Sequence, residues 1–216
     1  MYKAIIFDMD GTVLDTLDGL TVSLNHILHH FKLEEKTRQQ VRNYLGYGYI
    51  GLFRQAVPGL PEEQLAPLID AFKVYYGSQC CALSKPYDGI IPALEQLQEL
   101  GFKTAIVSNK GHGAVSELHN AFFDGIVSFS MGESEHYRKK PAPYMLWDAL
   151  KRLDCAPEDA VYIGDSEVDR KTAAAAGMDC VLVSWGFRDK SMLKTLDPTA
   201  LVDTPQELLS FFSKRN

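Results

Sequence analysis

The sequence lacks the features that mark several specialised classes of protein. It has no apolar run near the roughly 18 residues that a membrane-spanning helix requires. Its four cysteines form no CxxC pair, which argues against a zinc knuckle, a redox pair or a disulfide framework. It also lacks an excess of positive charge. With a net charge of −6, neither nucleic acid nor an anionic membrane is expected as its main partner.

The remaining composition is that of an ordinary globular protein. The apolar share is 46% and the charged share 23%, which excludes a disordered or low-complexity chain. A length of 216 residues suits one domain, or a core domain with a modest insertion. The apolar start of the chain runs directly into two carboxylates, unlike a signal peptide. We therefore expect a cytoplasmic protein, either a monomer or a homodimer.

Short apolar runs alternate with helical patterns along most of the chain. Each run is typical of a central strand that is covered on both faces. The predicted strands are 4–7, 104–107, 160–163 and 180–183, and the predicted helices are 90–100, 113–122, 144–153, 167–176 and one from Pro205. Alternating strands and helices predict an α/β fold, a doubly wound parallel sheet with helices on both faces. Tyr144 and Trp147 are expected in its core.

The stretch from Leu17 to Ser84 departs from this alternation. It contains no convincing strand, and Leu65, Leu68 and Phe72 recur there at helical spacing. We therefore predict two domains: residues 1–16 with 85–216 form the α/β core, and 17–84 form an inserted α-helical cap. Such an insertion is either a lid over the active edge of the sheet or a structural decoration.

Carboxylates follow two of the predicted strands, at the sheet edge where ligands bind in open α/β folds. Asp8 and Asp10 are two residues apart, so both can point into one crevice from an extended chain. Asp165 and Asp169 would share a helix face if the segment after Gly164 is helical. Four converging carboxylates are costly without a bound cation, and all-oxygen ligation favours Mg²⁺.

Groups that could bind an anionic substrate follow other strands. Ser108 and Asn109 offer a hydroxyl and an amide, and a lysine before the helix at Tyr144 could neutralise a phosphate oxygen. Lys140 is preferred over Lys139 because Pro141 follows it directly. Together with the acidic cluster, these groups suggest phosphoryl transfer. Each short motif also has a plain structural interpretation as a turn, a cap or a solvated charge.

Four motifs in this order resemble those of the haloacid dehalogenase-like hydrolase superfamily. They are Asp8-Met9-Asp10-Gly11-Thr12, Ser108-Asn109, Lys140-Pro141-Ala142-Pro143, and Gly164 to Asp169. Four motifs, each at a strand end or helix start, are far more specific than any one alone. The resemblance covers nearly the whole chain and implies a Rossmann-like core in which the insertion is a C1-type cap.

The resemblance implies a role for each matching residue. Asp8 would be the nucleophile and Asp10 the acid and base, while Ser108 and Lys140 would bind the phosphoryl group. Metal ligation would come from Asp8, Asp10 through its backbone carbonyl, and Asp165, with Asp169 a ligand or an anchor of the ligands. Thr12 and Asn109 complete the expected phosphate-binding set. Because Asp10 is present, phosphate chemistry is favoured over dehalogenation.

The cap is expected to select the substrate. Arg42 to Gly48 resembles the cap segment of phosphoglycolate phosphatases, so Arg42 and Gly46 are predicted to bind the substrate. The expected substrate is a small phosphorylated metabolite, with phosphoglycolate the first guess. Alternatives are a phosphosugar mutase of the β-phosphoglucomutase type, a pyrophosphatase or nucleotidase of the same family, and a non-catalytic phosphate-binding sensor or assembly module.

Overall fold

A computed structural model describes residues 2–135 and 137–213 of the chain. Eight strands are present in this part of the chain: β1 (Ala4–Phe7), β2 (Leu14–Asp15), β3 (Lys85–Pro86), β4 (Lys103–Gly111), β5 (Phe129–Glu133), β6 (Ala160–Gly164), β7 (Asp179–Val183) and β8 (Ala200–Val202). Six of them form one sheet in the order β5-β4-β1-β6-β7-β8, and every neighbouring pair is parallel. The predicted parallel α/β sheet is confirmed.

Ten α-helices accompany these strands in the described residues. They are α1 (Leu17–His30), α2 (Arg38–Tyr44), α3 (Gly48–Ala56), α4 (Glu62–Gln79), α5 (Ile90–Glu99), α6 (His112–Phe122), α7 (Tyr144–Leu153), α8 (Glu167–Ala176), α9 (Lys190–Lys194) and α10 (Pro205–Ser213). Helices α7 and α8 match the predicted ranges. Helix α5 ends just before Gly101, whose φ of +87° suits glycine and ends the helix as expected.

Strand β1 lies at the centre of the sheet because all four of its side chains are apolar and fully buried. Its alternating side chains enter different hydrophobic clusters. Ile5 and Phe7 join the cluster that also contains the helices of residues 17–79, whereas Ala4 and Ile6 join the cluster that contains α7. The helices between residues 17 and 79 thus share a hydrophobic core with one face of the sheet. The division into two domains stays a prediction.

Three features of the fold differ from the sequence expectations. Strands β5 and β8 were not predicted, and β4 continues past Val107 to Gly111 with a register shift against β5. Tyr144 and Trp147 are not core residues. Their exposed fractions are 44% and 46%, because both lie on the outer face of α7, where their rings pack edge to face at 5.6 Å. The core-facing positions of α7 hold Met145, Leu146, Ala149 and Leu150.

Candidate active site

Three aspartates meet at the carboxyl ends of β1 and β6. Asp8 directly follows β1, Asp165 directly follows β6, and Asp169 lies in the first turn of α8. Each offers a carboxylate oxygen within 4.8 Å of the others, and all three are buried. The fold brings them together because β1 and β6 are neighbouring parallel strands. The structure thus brings together three of the four carboxylates that were expected to converge, and Asp10 is not in this group.

Lys140 lies between two of these carboxylates. Its ammonium nitrogen is 2.7 Å from Asp8 Oδ1, 2.8 Å from Asp169 Oδ1 and 2.8 Å from the hydroxyl of Tyr162. Burial alone would lower the pKa of Lys140, but Asp169 and Asp8 more than offset this and raise it. Lys140 therefore stays charged. Its neighbour Lys139 instead pairs with Glu133 at 2.9 Å, which agrees with the choice of Lys140 from the sequence.

Asn109 fixes the backbone around Lys140. Its side-chain oxygen accepts from the Lys140 backbone N–H at 2.7 Å, and its amide nitrogen donates to the Lys140 carbonyl at 3.0 Å. The same nitrogen donates to the carbonyl of Gly46 at 3.1 Å. Asn109 thus ties the lysine to the loop that precedes α3. Ser108 is buried beside it, and its hydroxyl accepts from the backbone N–H of Lys110 at 3.1 Å.

Asp169 is the most completely hydrogen-bonded of the three aspartates. Oδ1 accepts from Lys140 and from Tyr162, and Oδ2 accepts from Ser166 Oγ at 2.6 Å and from the Asp165 backbone N–H at 3.3 Å. This position of Asp169 requires glycine at residue 164, because a Cβ there would collide with the Asp169 side chain. Asp169 is therefore suited to orient Lys140 and the turn that carries Asp165.

In the metal-free protein, ionisation of the Asp8 and Asp165 carboxyls is unfavourable. Burial raises the pKa of Asp8 well above its usual value, although Lys140 opposes the shift. Burial, then the charge of Asp169, raises the pKa of Asp165 to about 7, despite the Phe187 N–H that donates to it at 2.6 Å. Gly11, at φ +84°, leaves the space beside Asp165 that a Cβ would fill. A buried acidic cluster of this kind fits a hard divalent cation with oxygen ligands, as expected for Mg²⁺.

Asp10 lies beside this cluster with a separate set of partners. Its Oδ1 accepts from Thr16 Oγ1 at 2.7 Å and is 3.1 Å from Lys110 Nζ. Lys110 is itself buried and donates to the hydroxyl of Tyr76 on α4 at 2.7 Å. Burial would lower the pKa of Lys110, but Asp10, Tyr76 and Tyr49 raise it overall, so it stays charged.

A small cavity connects the aspartates to the helices of residues 17–79. Its volume is about 50 Å³. The sheet side of its wall is polar and the other side is mainly apolar. The lining residues are Asp8, Asp10, Ser108, Asn109, Lys110, Lys140, Asp165, Ser166, Phe187 and Arg188, with Leu20, Leu45, Gly46, Gly48, Tyr49 and Leu52 opposite. The cavity therefore joins a charged end to an apolar end.

Two residues predicted to bind substrate do not line this cavity. The guanidinium of Arg42 is 3.0 Å from Asp189. Thr12 is fully buried, and its hydroxyl has no hydrogen-bond partner in the part of the chain that the structure describes. Their roles stay predictions, whereas Gly46, also predicted, does line the cavity. A loop arginine, Arg188, occupies the wall where Arg42 was expected. It pairs with Glu167 at 2.8 Å and donates to the carbonyl of Leu45 at 2.8 Å.

Four residues at the site were not predicted from the sequence: Lys110, Tyr162, Arg188 and Tyr49. Lys110 directly follows Ser108-Asn109. A prediction that continued β4 to Gly111 would have placed Lys110 at the same sheet edge. Tyr162 lies in the apolar run of β6, which is buried on both faces, so nothing in the sequence indicated that its hydroxyl contacts Lys140 and Asp169. Arg188 and Tyr49 had no spacing signal, because their places depend on how the chain folds back over the sheet.

Comparison with known proteins agrees with this fold and site. The sequence pattern of the haloacid dehalogenase-like hydrolases matches residues 5–183, so the chain belongs to that family. A relative from Mannheimia succiniciproducens named phosphoglycolate phosphatase is 29% identical over 96% of this chain and 97% of its own. A Bacillus anthracis relative named pyrophosphatase PpaX is 28% identical over 99% of this chain and 98% of its own.

Solved structures give the same result. A protein from Lactobacillus delbrueckii subsp. bulgaricus, described as a candidate phosphoglycolate phosphatase, superimposes with a TM-score of 0.90. It is 34% identical, and the match covers 96% of this chain and 97% of that one. The expected resemblance and the assignment to an enzyme of this hydrolase family are confirmed. Among the described residues, no helix combines the length and apolar character needed to cross a bilayer.

Proposed function

We propose that the protein is a Mg²⁺-dependent phosphomonoester hydrolase that acts on a small phosphorylated metabolite through an aspartyl-phosphate intermediate. The supporting observation is the group of Asp8, Asp165 and Asp169, whose carboxylate oxygens lie within 4.8 Å of one another, with Lys140 bridging Asp8 and Asp169. Phosphoglycolate is the first substrate to test, since relatives bear that name. The proposal takes the protein to be cytoplasmic, and a monomer or homodimer.

The nucleophile in this proposal is Asp8. Within the described residues, Asp8 accepts hydrogen bonds at Oδ1, from Lys140 and from the Met9 backbone N–H, so Oδ2 is the oxygen that attacks phosphorus. Lys140 and Ser108 hold phosphoryl oxygens and stabilise their charge. Asp8 and Asp165 would hold Mg²⁺ together with the backbone carbonyl of Asp10. The cation would neutralise these carboxylates and polarise a phosphoryl oxygen.

Asp10 acts as acid and then as base. It gives a proton to the leaving oxygen as the P–O bond of the ester breaks and the Asp8–phosphorus bond forms. It then takes a proton from the water that attacks the aspartyl phosphate, which releases inorganic phosphate and restores Asp8. Its hydrogen bonds from Thr16 and Lys110 leave it anchored through one oxygen, Oδ1. Asp169 keeps Lys140 in place throughout.

Pyrophosphate is a second substrate to test, because a relative covering almost the whole chain is named pyrophosphatase. The screen would measure phosphate release from phosphoglycolate, pyrophosphate, sugar phosphates and nucleotides, ranked by kcat/KM, with Mg²⁺ and with EDTA. We expect Mg²⁺-dependent release that is fastest with small esters. Glucose 6-phosphate formed from glucose 1-phosphate would show a mutase instead. Absence of turnover across the panel would favour a phosphate-binding sensor or assembly module.

A further inference from the structure

A second and larger cavity lies beside the small one. Its volume is about 510 Å³, against about 50 Å³ for the cavity at the aspartates. It is open between α4, the start of α6 and the end of β5. Its polar lining includes Lys73, His112, Glu117, Glu133 and Glu135. Among the described residues, the two linings share only Tyr49, which therefore forms the partition between the cavities.

The ring of Tyr49 is held firmly in this position. It packs edge to face on Phe72 at 5.1 Å and on Tyr76 at 6.3 Å, both from α4. On its other side lies β4, since a Cβ on Gly111 would be 3.6 Å from the ring carbon Cε2. Only 7% of the residue is exposed. The ring thus packs between α4 and the end of β4, and any rotation away from this position would break these contacts.

The small cavity sets a limit on what the site accepts with Tyr49 in place. A volume of about 50 Å³ corresponds to about four water positions, at about 12 Å³ for each. A phosphoryl group bound at the aspartates would occupy part of that space. A leaving group of a few atoms can be accommodated against Leu45 and Leu52, but a ring or a nucleoside would extend into the position of the Tyr49 side chain.

We propose that Tyr49 is a specificity-determining residue that separates the phosphoryl site from the larger cavity and so restricts the site to esters with small leaving groups. The proposal rests on the proposed phosphatase function and goes further, because it assigns selection by size to one side chain. The larger cavity becomes the space for a bulky leaving group once this ring is removed.

The experiment compares three variants with the wild type. Tyr49→Ala removes the partition, Tyr49→Phe keeps the ring, and Tyr75→Ala is the matched control. Tyr75 is a tyrosine of the neighbouring helix α4, stacks on His26 at 3.8 Å and lines neither cavity. The readout is the ratio of kcat/KM for phenyl phosphate to kcat/KM for phosphoglycolate, since this ratio defines specificity.

We expect the ratio to rise at least about tenfold in Tyr49→Ala and to change by less than about twofold in the other two variants. An unchanged ratio in a folded Tyr49→Ala would overturn the proposal. So would an equal rise in Tyr49→Phe, since the ring would then be irrelevant. If Tyr49→Ala does not unfold cooperatively, Tyr49→Leu takes its place, because leucine retains apolar packing but is shorter than tyrosine.

A binding measurement separates this proposal from the failure of the proposed function. Methylphosphonate and phenylphosphonate are not hydrolysed as esters are, and each stabilises the protein in proportion to its binding. With Mg²⁺ present, phenylphosphonate is expected to raise the melting temperature of Tyr49→Ala but not of the wild type, whereas methylphosphonate raises both. Equal stabilisation of the wild type by the two ligands would refute the partition, whether or not any ester is hydrolysed.

Discussion

The two ends of the small cavity are built in different ways. At the sheet end, Lys140 contacts Asp8 at 2.7 Å and Asp169 at 2.8 Å. At the opposite end, Leu20, Leu45 and Leu52 provide apolar surface, and Tyr49 closes it. The sheet end is suited to one chemical group, a phosphoryl anion with its cation. The far end is suited to a leaving group of limited size and a certain shape. Substitutions at the two ends should therefore affect the chemical step and the choice of substrate separately.

The largest effect is expected from the nucleophile at the sheet end. Asp8→Asn keeps the size of the side chain but removes the attacking oxygen, so kcat should fall at least about a thousandfold. Phosphate release by a colorimetric assay is the measurement. Asp124→Asn, an exposed position, is the matched control and should retain wild-type turnover. Substantial activity in Asp8→Asn would remove the basis for the covalent mechanism.

The second effect concerns cation binding at the same end. The pKa of Asp165 is raised to about 7 from a reference of 3.8, so its ionisation in the folded, metal-free protein is unfavourable. The contribution of Asp165 to the stability of the folded protein is fully present below a pH of about 4 and is lost as the pH rises towards 7. Mg²⁺ should therefore raise the melting temperature more at pH 8 than at pH 5.

Asp165→Asn tests whether the Asp165 carboxyl causes this pH dependence. Asparagine still offers an oxygen to the Phe187 N–H but carries no charge. The metal-free variant should lose less stability between pH 5 and pH 8, gain little from Mg²⁺, and turn over about a hundredfold more slowly. Thermal unfolding with Mg²⁺ and with EDTA gives the stability result. A variant that gains as much from Mg²⁺ as the wild type would show that Asp165 does not hold the cation.

Lys110 belongs to both ends, because it connects Asp10 to Tyr76 on α4. Lys110→Met removes a charged hydrogen bond to Asp10, and such a bond corresponds to about a tenfold to hundredfold change in rate. We expect kcat to fall and KM to change little, with partial rescue in Lys110→Arg. Lys151→Met, at an exposed position of α7, is the control. A rise in KM alone would place Lys110 in substrate binding rather than in the positioning of Asp10.

The contrast between the two ends also explains how much the sequence could predict. The meeting of Asp8, Asp165 and Asp169 could be predicted because strand ends and turn residues are local signals, and neighbouring parallel strands bring them together. The edge strands β5 and β8 were missed for different reasons: the β5 segment Phe129–Glu133 is interrupted by polar and glycine residues, and the apolar run Ala200–Val202 of β8 is only three residues long.

The far end of the cavity was much less predictable. Tyr49 is one of 10 tyrosines, and nothing in its local pattern shows that it lies between two cavities. Arg188 has no motif either, because it reaches Glu167 and the carbonyl of Leu45 only after distant segments pack. Shape and closure depend on tertiary packing, which is why no local pattern indicated that Arg188 lines the cavity.

The smallest effect on activity is expected from a substitution of Arg42. Arg42 pairs with Asp189, whose side chain is 74% exposed, and exposed ion pairs contribute about 1 kcal/mol or less. Arg42→Ala should therefore change kcat/KM for phosphoglycolate by less than about threefold, and Asp189→Asn, which weakens the same pair but keeps the arginine, should match it. If Arg42 binds the substrate as its motif predicts, Arg42→Ala alone would instead raise KM by tenfold or more. The two variants together thus decide whether recognition at the far end depends on shape alone or also on a charge supplied by Arg42.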